Sequence, residues 1–254
     1  SHRDGLPAGT RIEALSTALG GKGGAVVERH LAHLAAAGDA GFTALNTACF
    51  EDGVLVHLGR GSVLAAPLQI LFLAVPAAGS PAPFEIHPRV LVVAEEGSQA
   101  SVIEIHAGTG AYCSNPVTEI AVGPAAVISH TCVQRQSLAA YHVARLHAHL
   151  ERDARFTSHA LALGAALART ELEVVLAGEG AECALHGLYA AGGTQHTDNR
   201  TDVTHAQPHC TSNQLYKGVL GGQAHGVFNG KVMVAAGAQK TDAQLSNRNL
   251  LLSR

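Results

Sequence analysis

Residues 205–254 read HAQPHCTSNQLYKGVLGGQAHGVFNGKVMVAAGAQKTDAQLSNRNLLLSR, and this stretch decides the fold. Short apolar and β-branched runs alternate with glycine or with Asn/Asp/Gln turns. Val219-Leu220 precedes Gly221-Gly222, Val227-Phe228 precedes Asn229-Gly230, and Val232-Met233-Val234 precedes Gly237. No run reaches the ~10 residues that a helix normally wants, and the glycines would weaken one. The pattern is strand, turn, strand, turn, with little between.

The same punctuation extends upstream to Gly53. Val54–Leu58, Leu68–Val75, Arg89–Ala94, Ser101–His106, Val117–Val122 and Ala126–Gln134 read as strands, separated by Gly59, Gly79, Gly97, Gly108 and Gly123. Tyr141–Glu151 alternates cleanly: Ala144, Leu146, Ala148 and Leu150 point one way, and Arg145, His147, His149 and Glu151 the other. That predicts one buried and one solvated face. Gly-Ala pairs at 180–181 and 237–238, and Gly-x-Ala at 222–224, open new runs at uneven spacing. Many short strands without helices allow a sandwich, a barrel or a β-solenoid.

The first 52 residues differ. Residues 1–10 are polar, Gly/Pro-broken and expected to be loose. A short helix is expected over Arg11–Leu19 behind Thr10 as N-cap. A second is expected over Ala25–Ala37 with Gly38 as its stop, and a third over Phe42–Cys49. The predicted organisation is a helical lead-in over 1–52 and a β core over 53–254.

Composition narrows the function. Seventeen basic and 20 acidic residues give a net charge of −3, so neither nucleic acid nor an anionic membrane is favoured globally. No apolar run reaches the ~18–20 residues of a membrane span. Cys49, Cys113, Cys132, Cys183 and Cys210 form no C-x-x-C pair. This odd, scattered set points to reducing cytosol rather than to a disulfide framework or structural zinc. The sequon Asn199-Arg200-Thr201 is then read as chance.

Several groups have chemistry to weigh. His147-x-His149 offers two imidazoles on one strand face but no third ligand. His196, Asp198, Asp202, His205, His209 and Cys210 are the densest polar cluster and the best local candidate for iron or zinc contact. The competing account is turn residues and stacked polar ladders. Cys183 reads as a small buried hydrophobe before it reads as a sulfur relay. Gly226-Val-Phe-Asn-Gly-Lys231 has three residues between its glycines and Val232 after the lysine, so it is rejected as a phosphate loop. Glu171, Glu173, Glu179 and Glu182 keep a polysaccharide-active enzyme open, although solubility explains them more simply. Lys217, Lys231, Lys240 and Arg248 add local charge, with only Tyr216 and Phe228 as aromatics for stacking, which is too few for a nucleic-acid surface.

Three blocks closely resemble the core of the SufB/SufD family, the scaffold subunits of SUF iron–sulfur cluster assembly. They are Gln214-Leu-Tyr-Lys-Gly-Val, Gly226-Val-Phe-Asn-Gly-Lys-Val, and AQKTDAQLSNRNLLLS over Ala238–Ser253. Phe156-Thr-Ser-His, Gly178–Cys183, Gln195–Asn199, Ala44–Ala48 and Pro88–Val92 fit it too. The resemblance covers roughly residues 10–253 and is more SufD-like than SufB-like. It implies a right-handed parallel β-helix and a non-catalytic, cytoplasmic scaffold. It further implies pairing with a SufB-like subunit, or with itself in isolation, through strands in about 205–253. A transient iron–sulfur cluster would sit at the subunit interface of the full complex. In the family a further segment follows, which carries the cluster-forming Cys and His and whose helical C-terminal part docks the ATPase SufC. That segment is expected to be missing here, so no catalytic, cofactor or metal residue is assigned. A purely structural adaptor is the third alternative.

Overall fold

The computed structural model describes residues 6–35, 41–77 and 83–253. The stop at Gly38, the break at Gly79, Ser1–Gly5 of the loose end and the terminal Arg254 lie outside the described residues. In chain order the elements are β1 (Arg11–Ala14), α1 (Leu15–Leu19), α2 (Gly24–His30), α3 (Gly41–Cys49), β2 (Gly53–Leu58), β3 (Leu68–Ala74), β4 (Phe84–Ile86), β5 (Arg89–Ala94) and β6 (Gln99–Gly108). Next come β7 (Tyr112–Ser114), β8 (Val117–Val122), β9 (Val127–Arg135), β10 (Tyr141–Leu150), β11 (Arg155–Ala162), β12 (Leu167–Leu176) and β13 (Glu182–Ala191). The last four are β14 (His196–His205), β15 (Thr211–Leu220), β16 (His225–Val234) and β17 (Asp242–Leu251).

From β8 onward the chain alternates between two sheets. One sheet runs β1-β2-β5-β8-β10-β12-β14-β16, and the other runs β17-β15-β13-β11-β9-β6-β3. All pairings except β1 with β2 are parallel. Each strand therefore lies beside the strand one coil away, in a parallel β-helix of about 6 turns. Leu167 pairs with His196, which pairs with His225, two steps of 29 residues each. Other steps are shorter or longer, which is why the repeat is faint in the sequence.

Period-two alternation fills the interior. Val56, Val92, Ile120, Ala148 and Val174 face inward from one sheet, and Val102, Ile128, Phe156 and Leu185 from the other. Corners stack as regularly as strands do. Gly97, Ala125, Asp153, Gly180 and His209 all have positive φ. Their N–H groups donate up the column to Pro124, Arg152, Glu179, Pro208 and Gln239 carbonyls, at 2.9–3.2 Å. The next residue in each coil, Ser98, Ala126, Ala154, Ala181 or Cys210, is fully buried. A small side chain is what this tight inner corner admits.

The lead-in departs from expectation in two places. Arg11–Ala14 is a strand, antiparallel to β2, and not the first turn of a helix. The free edge of β2 offers a full ladder, and isolated short helices are marginal in water. Helix α2 ends at His30 and does not continue to Ala37. The Glu119 carboxylate draws the next backbone away, accepting from the N–H groups of Ala32 (2.9 Å), Leu34 (3.1 Å) and Ala35 (3.1 Å). Leu15, Ala18 and Val27 then cover Leu55, Leu91 and Val93 on the outer face of the first sheet. Strand β10 buries Leu146, Ala148 and Leu150 as expected, but His147 on its other face is buried too. It lies beside Glu119 in register and 3.4 Å from Glu173.

Candidate functional site

Both sheets end at the C-terminal coil. Among the described residues, β16 and β17 each have a neighbour on one side only. Each thus presents a ten-residue edge of main-chain donors and acceptors. The inner face of this coil is open as well. Leu185 and Gln214 are buried, whereas Leu245, next on the same register line, is 43% exposed. His205 is fully buried, whereas Val234 beside it is 52% exposed. Leu251 is 67% exposed. Polar groups gather behind the rim. Asn247 donates to the Tyr189 hydroxyl (3.2 Å), which donates to Asn249 (2.5 Å). Among the described residues the Thr201 hydroxyl and both amide atoms of Gln214 are buried without a partner. Such a rim is fit to take a further strand on each edge.

The densest polar cluster does not converge. Asp198 faces out and accepts from Arg169 and Arg200, while Asp202 accepts from Lys231 at 2.9 Å. His196 tilts against His225 of the next coil, ring centroids 5.5 Å apart. His205 faces in, 2.8 Å from the Ser212 hydroxyl. His209 is a corner residue, and Cys210 is the small residue after it, donating to the Gly178 carbonyl at 3.3 Å. Alternation and the corner thus split the six between outside and inside. No group of three or more His, Cys, Asp or Glu is arranged to hold a metal among the described residues. Burial pushes Cys183 up to about 12, with Cys210 adding, which suits a buried thiol and not a nucleophile.

The carboxylates do not make an acid–base pair. Glu171 and Glu173 line an outer groove of about 240 Å³, together with Arg145, Arg200, Asp202 and Lys231. Arg145 binds Glu171 at 3.1 Å and Glu173 at 2.5 Å. The His147 imidazole first, and Arg145 after it, lower Glu173 to about 2 against the effect of burial. A glycosidase needs one carboxyl raised, not lowered. Lys231 and Lys217 lie on different sheets, and Tyr216 is buried inside, its ring 4.8 Å from Phe228. They form no stacking platform for bases. Asn199 is also buried, closed to a glycan. Residues 226–231 lie within β16, so the rejected phosphate-loop match has no loop to work with.

Two polar constellations went unread in the sequence. Inside the solenoid, Glu104 accepts from Thr118 (2.9 Å) and pairs with His106 (2.7 Å) and His130 (3.2 Å). Burial pushes its carboxyl up, but the two imidazoles outweigh that and hold it well below the usual range. His142 tilts against His106, and burial holds it neutral. The other constellation is the buried Arg89–Glu119 pair. Arg89 also donates to Asn46 (2.9 Å), whose amide holds the Pro88 and Asn115 carbonyls. It ties α3 and the segment after α2 to the solenoid. Strand phase alone puts Glu104 and His106 inward with Val102.

Residues 77–254 match the family profile described as SUF system FeS cluster assembly, SufBD core domain. Residues 1–70 match the SufBD protein N-terminal region. An iron-sulfur cluster assembly SufBD family protein of Synechocystis sp. is 32% identical over 84% of this chain and 48% of its own length. A SufBD family protein of Mycobacterium bovis is 33% identical over 80% of this chain and 51% of its own. The iron-sulfur cluster assembly protein SufD of Escherichia coli is 29% identical over 78% and 47%. The chain spans about half the length of the curated relatives it matches. No helix among the described residues is long and apolar enough to cross a membrane. With two family profiles matched along its length and the β-helix fold in place, the chain belongs to the SufB/SufD family of SUF-system iron–sulfur cluster assembly proteins, and it is SufD-like.

Proposed function

We propose that this chain is a non-catalytic scaffold subunit of the SUF complex, built as a lead-in over 1–52 and a β-helix over 53–254. It pairs with a SufB-like subunit through the rim of β16 and β17, or with its own copy when that subunit is missing. A SufC ATPase drives the assembly, and the iron–sulfur cluster is transient cargo at the subunit interface. The observation that carries this reading is the match of two SufBD family profiles to a parallel β-helix, in which the ten-residue strands β16 and β17 offer edges for pairing. Main-chain pairing supplies affinity at such an edge. Five free cysteines fit the reducing cytoplasm.

Co-expression of the full-length gene product with SufB and SufC subunits tests it. The three are expected to copurify, and failure of the full-length protein to join either subunit would count against this reading. Anaerobic reconstitution with iron and sulfide, read by absorbance, separates a scaffold from a purely structural adaptor.

A further inference from the structure

The outer face of the second sheet carries one unbroken register line. Leu71 pairs with Ile105, Ile105 with Val133, Val133 with Leu161, Leu161 with Leu188, Leu188 with Lys217, and Lys217 with Arg248. Five aliphatic residues in a row thus end in two cations. Leu71 is 53% exposed and Leu188 42%, and Ile105, Val133 and Leu161 are half-buried. Beside the line His159 stacks on His186, their ring centroids 5.3 Å apart, and Leu215 follows them. Leu161, Leu188, Leu215, the two imidazoles and Lys217 line a groove of about 310 Å³ whose lining contains no carboxylate.

We propose that this line is a docking surface for an amphipathic helix of a partner protein, with acidic residues at the end that meets Lys217 and Arg248. Three features select that occupant. A strand ligand hydrogen-bonds to a sheet edge, whereas an amphipathic helix lays its apolar stripe on a sheet face. The molecule already does this on its other sheet, where α1 and α2 bring Leu15, Ala18 and Val27 onto Leu55, Leu91 and Val93. Spacing agrees: strands ~4.8 Å apart set five aliphatics over ~19 Å, which is ~13 residues of helix at a pitch of ~5.4 Å.

Charge fixes the polarity. Lys217 and Arg248 form no ion pair among the described residues. The acids of this outer face, Glu182 and Asp242, lie at the opposite ends of their strands, on the line Arg155–Glu182–Thr211–Asp242. A helix C-terminus, with its partial negative charge and acidic side chains, complements the cationic end.

The probe is a synthetic 18-residue helical peptide with leucines along one face and three glutamates in its last turn. A control peptide carries lysines in place of the glutamates. Fluorescence anisotropy with the full chain is expected to show saturable binding of the acidic peptide only. Lys217→Glu with Arg248→Glu is expected to weaken it about tenfold and to admit the lysine peptide instead. Leu71→Glu with Leu188→Glu, both exposed and tolerated by the fold, is expected to abolish binding at an unchanged melting temperature. The rim variants Leu245→Lys and Leu251→Lys are expected to leave it intact. No saturable binding, or equal binding of both peptides, overturns the proposal. So does flotation with phosphatidylserine vesicles that depends on Leu71 and Leu188, since a membrane is then the occupant. A concentration-dependent dimer lost in the Leu71/Leu188 variant also overturns it, because a second copy then covers the line.

Discussion

Glu104 Oε1 lies 2.7 Å from His106 Nε2 inside the solenoid, with His130 on the other carboxylate oxygen. A buried carboxylate in apolar surroundings survives only because its lone pairs are met. Glu104→Ala leaves two imidazoles without their acceptor and is expected to destabilise the fold by ~3–5 kcal/mol. Urea denaturation checks this, with a loss under ~1 kcal/mol counting against a structural role for the cluster.

The Arg89–Glu119 pair makes a different prediction. Both side chains are fully buried, and Glu119 also holds three backbone N–H groups after α2. Glu119→Gln strands the guanidinium and weakens those contacts. Hydrogen exchange at Ala32, Leu34 and Ala35 is expected to accelerate strongly, while strands β12–β15 keep their protection. Uniform acceleration across the chain would mean that the pair supports the whole column and not the docking of the lead-in.

Much of this fold is legible residue by residue. Arg89–Ala94 and Val117–Val122 appear in the structure with the bounds their apolar runs and flanking glycines suggest. Parallel strands buried on both faces carry just such runs. What one sequence lacks is register. Glu104, Thr118 and His130 are inward by phase, yet their meeting depends on how β6, β8 and β9 align across coils. The line from Leu71 to Arg248 crosses seven strands and is invisible for the same reason. The His196–Cys210 cluster is the opposite case: residues dense along the chain are parted by alternation, which sends Asp198 out and His205 in.

Cys210 follows from the corner column. Ser98, Ala126, Ala154 and Ala181 precede it in the equivalent position, all fully buried. Cys210→Ala is therefore expected to be near-neutral, within ~1 kcal/mol, and to leave any iron uptake by the assembled complex unchanged. A bulky Cys210→Phe is expected to be severely destabilising, because overpacking strains this corner. Loss of iron uptake in a stable Cys210→Ala protein would restore the thiol as a functional group. At the preceding position His209 sits at φ 61. His209→Val is expected to cost ~1–2 kcal/mol through the left-handed backbone alone, and His209→Gly to cost little.

Inner packing between coils depends on glycine at one site in particular. A Cβ at Gly187 would lie 2.1 Å from the Tyr216 ring, which is buried against the next coil. Gly187→Ala must displace that ring, and Tyr216 cannot move out without opening the core. The expected loss is ~1–3 kcal/mol. The double variant Gly187→Ala, Tyr216→Leu is expected to recover part of it, since the smaller side chain makes room. Thermal unfolding of the three proteins tests the coupling, and strict additivity would show that the two positions do not meet.

Acid is expected to unfold the protein in two steps, and the sign follows from the groups themselves. Burial lowers His142, His149, His159 and His205 from 6.5. In the folded state they resist a proton that the unfolded chain accepts below that value. Stability from these four is complete above pH 6.5 and declines as the pH falls through it. Glu104 and Glu173 are lowered from 4.5 by their histidine partners, against burial, so their contribution holds above 4.5 and is lost as the pH falls further. Urea midpoints should fall between pH 7 and 5 and again below 4.5. His142→Leu, which removes the imidazole that burial lowers furthest, should flatten the first limb and leave the second. A midpoint that does not change between pH 7 and 5 would mean that these histidines keep their protons inside the column.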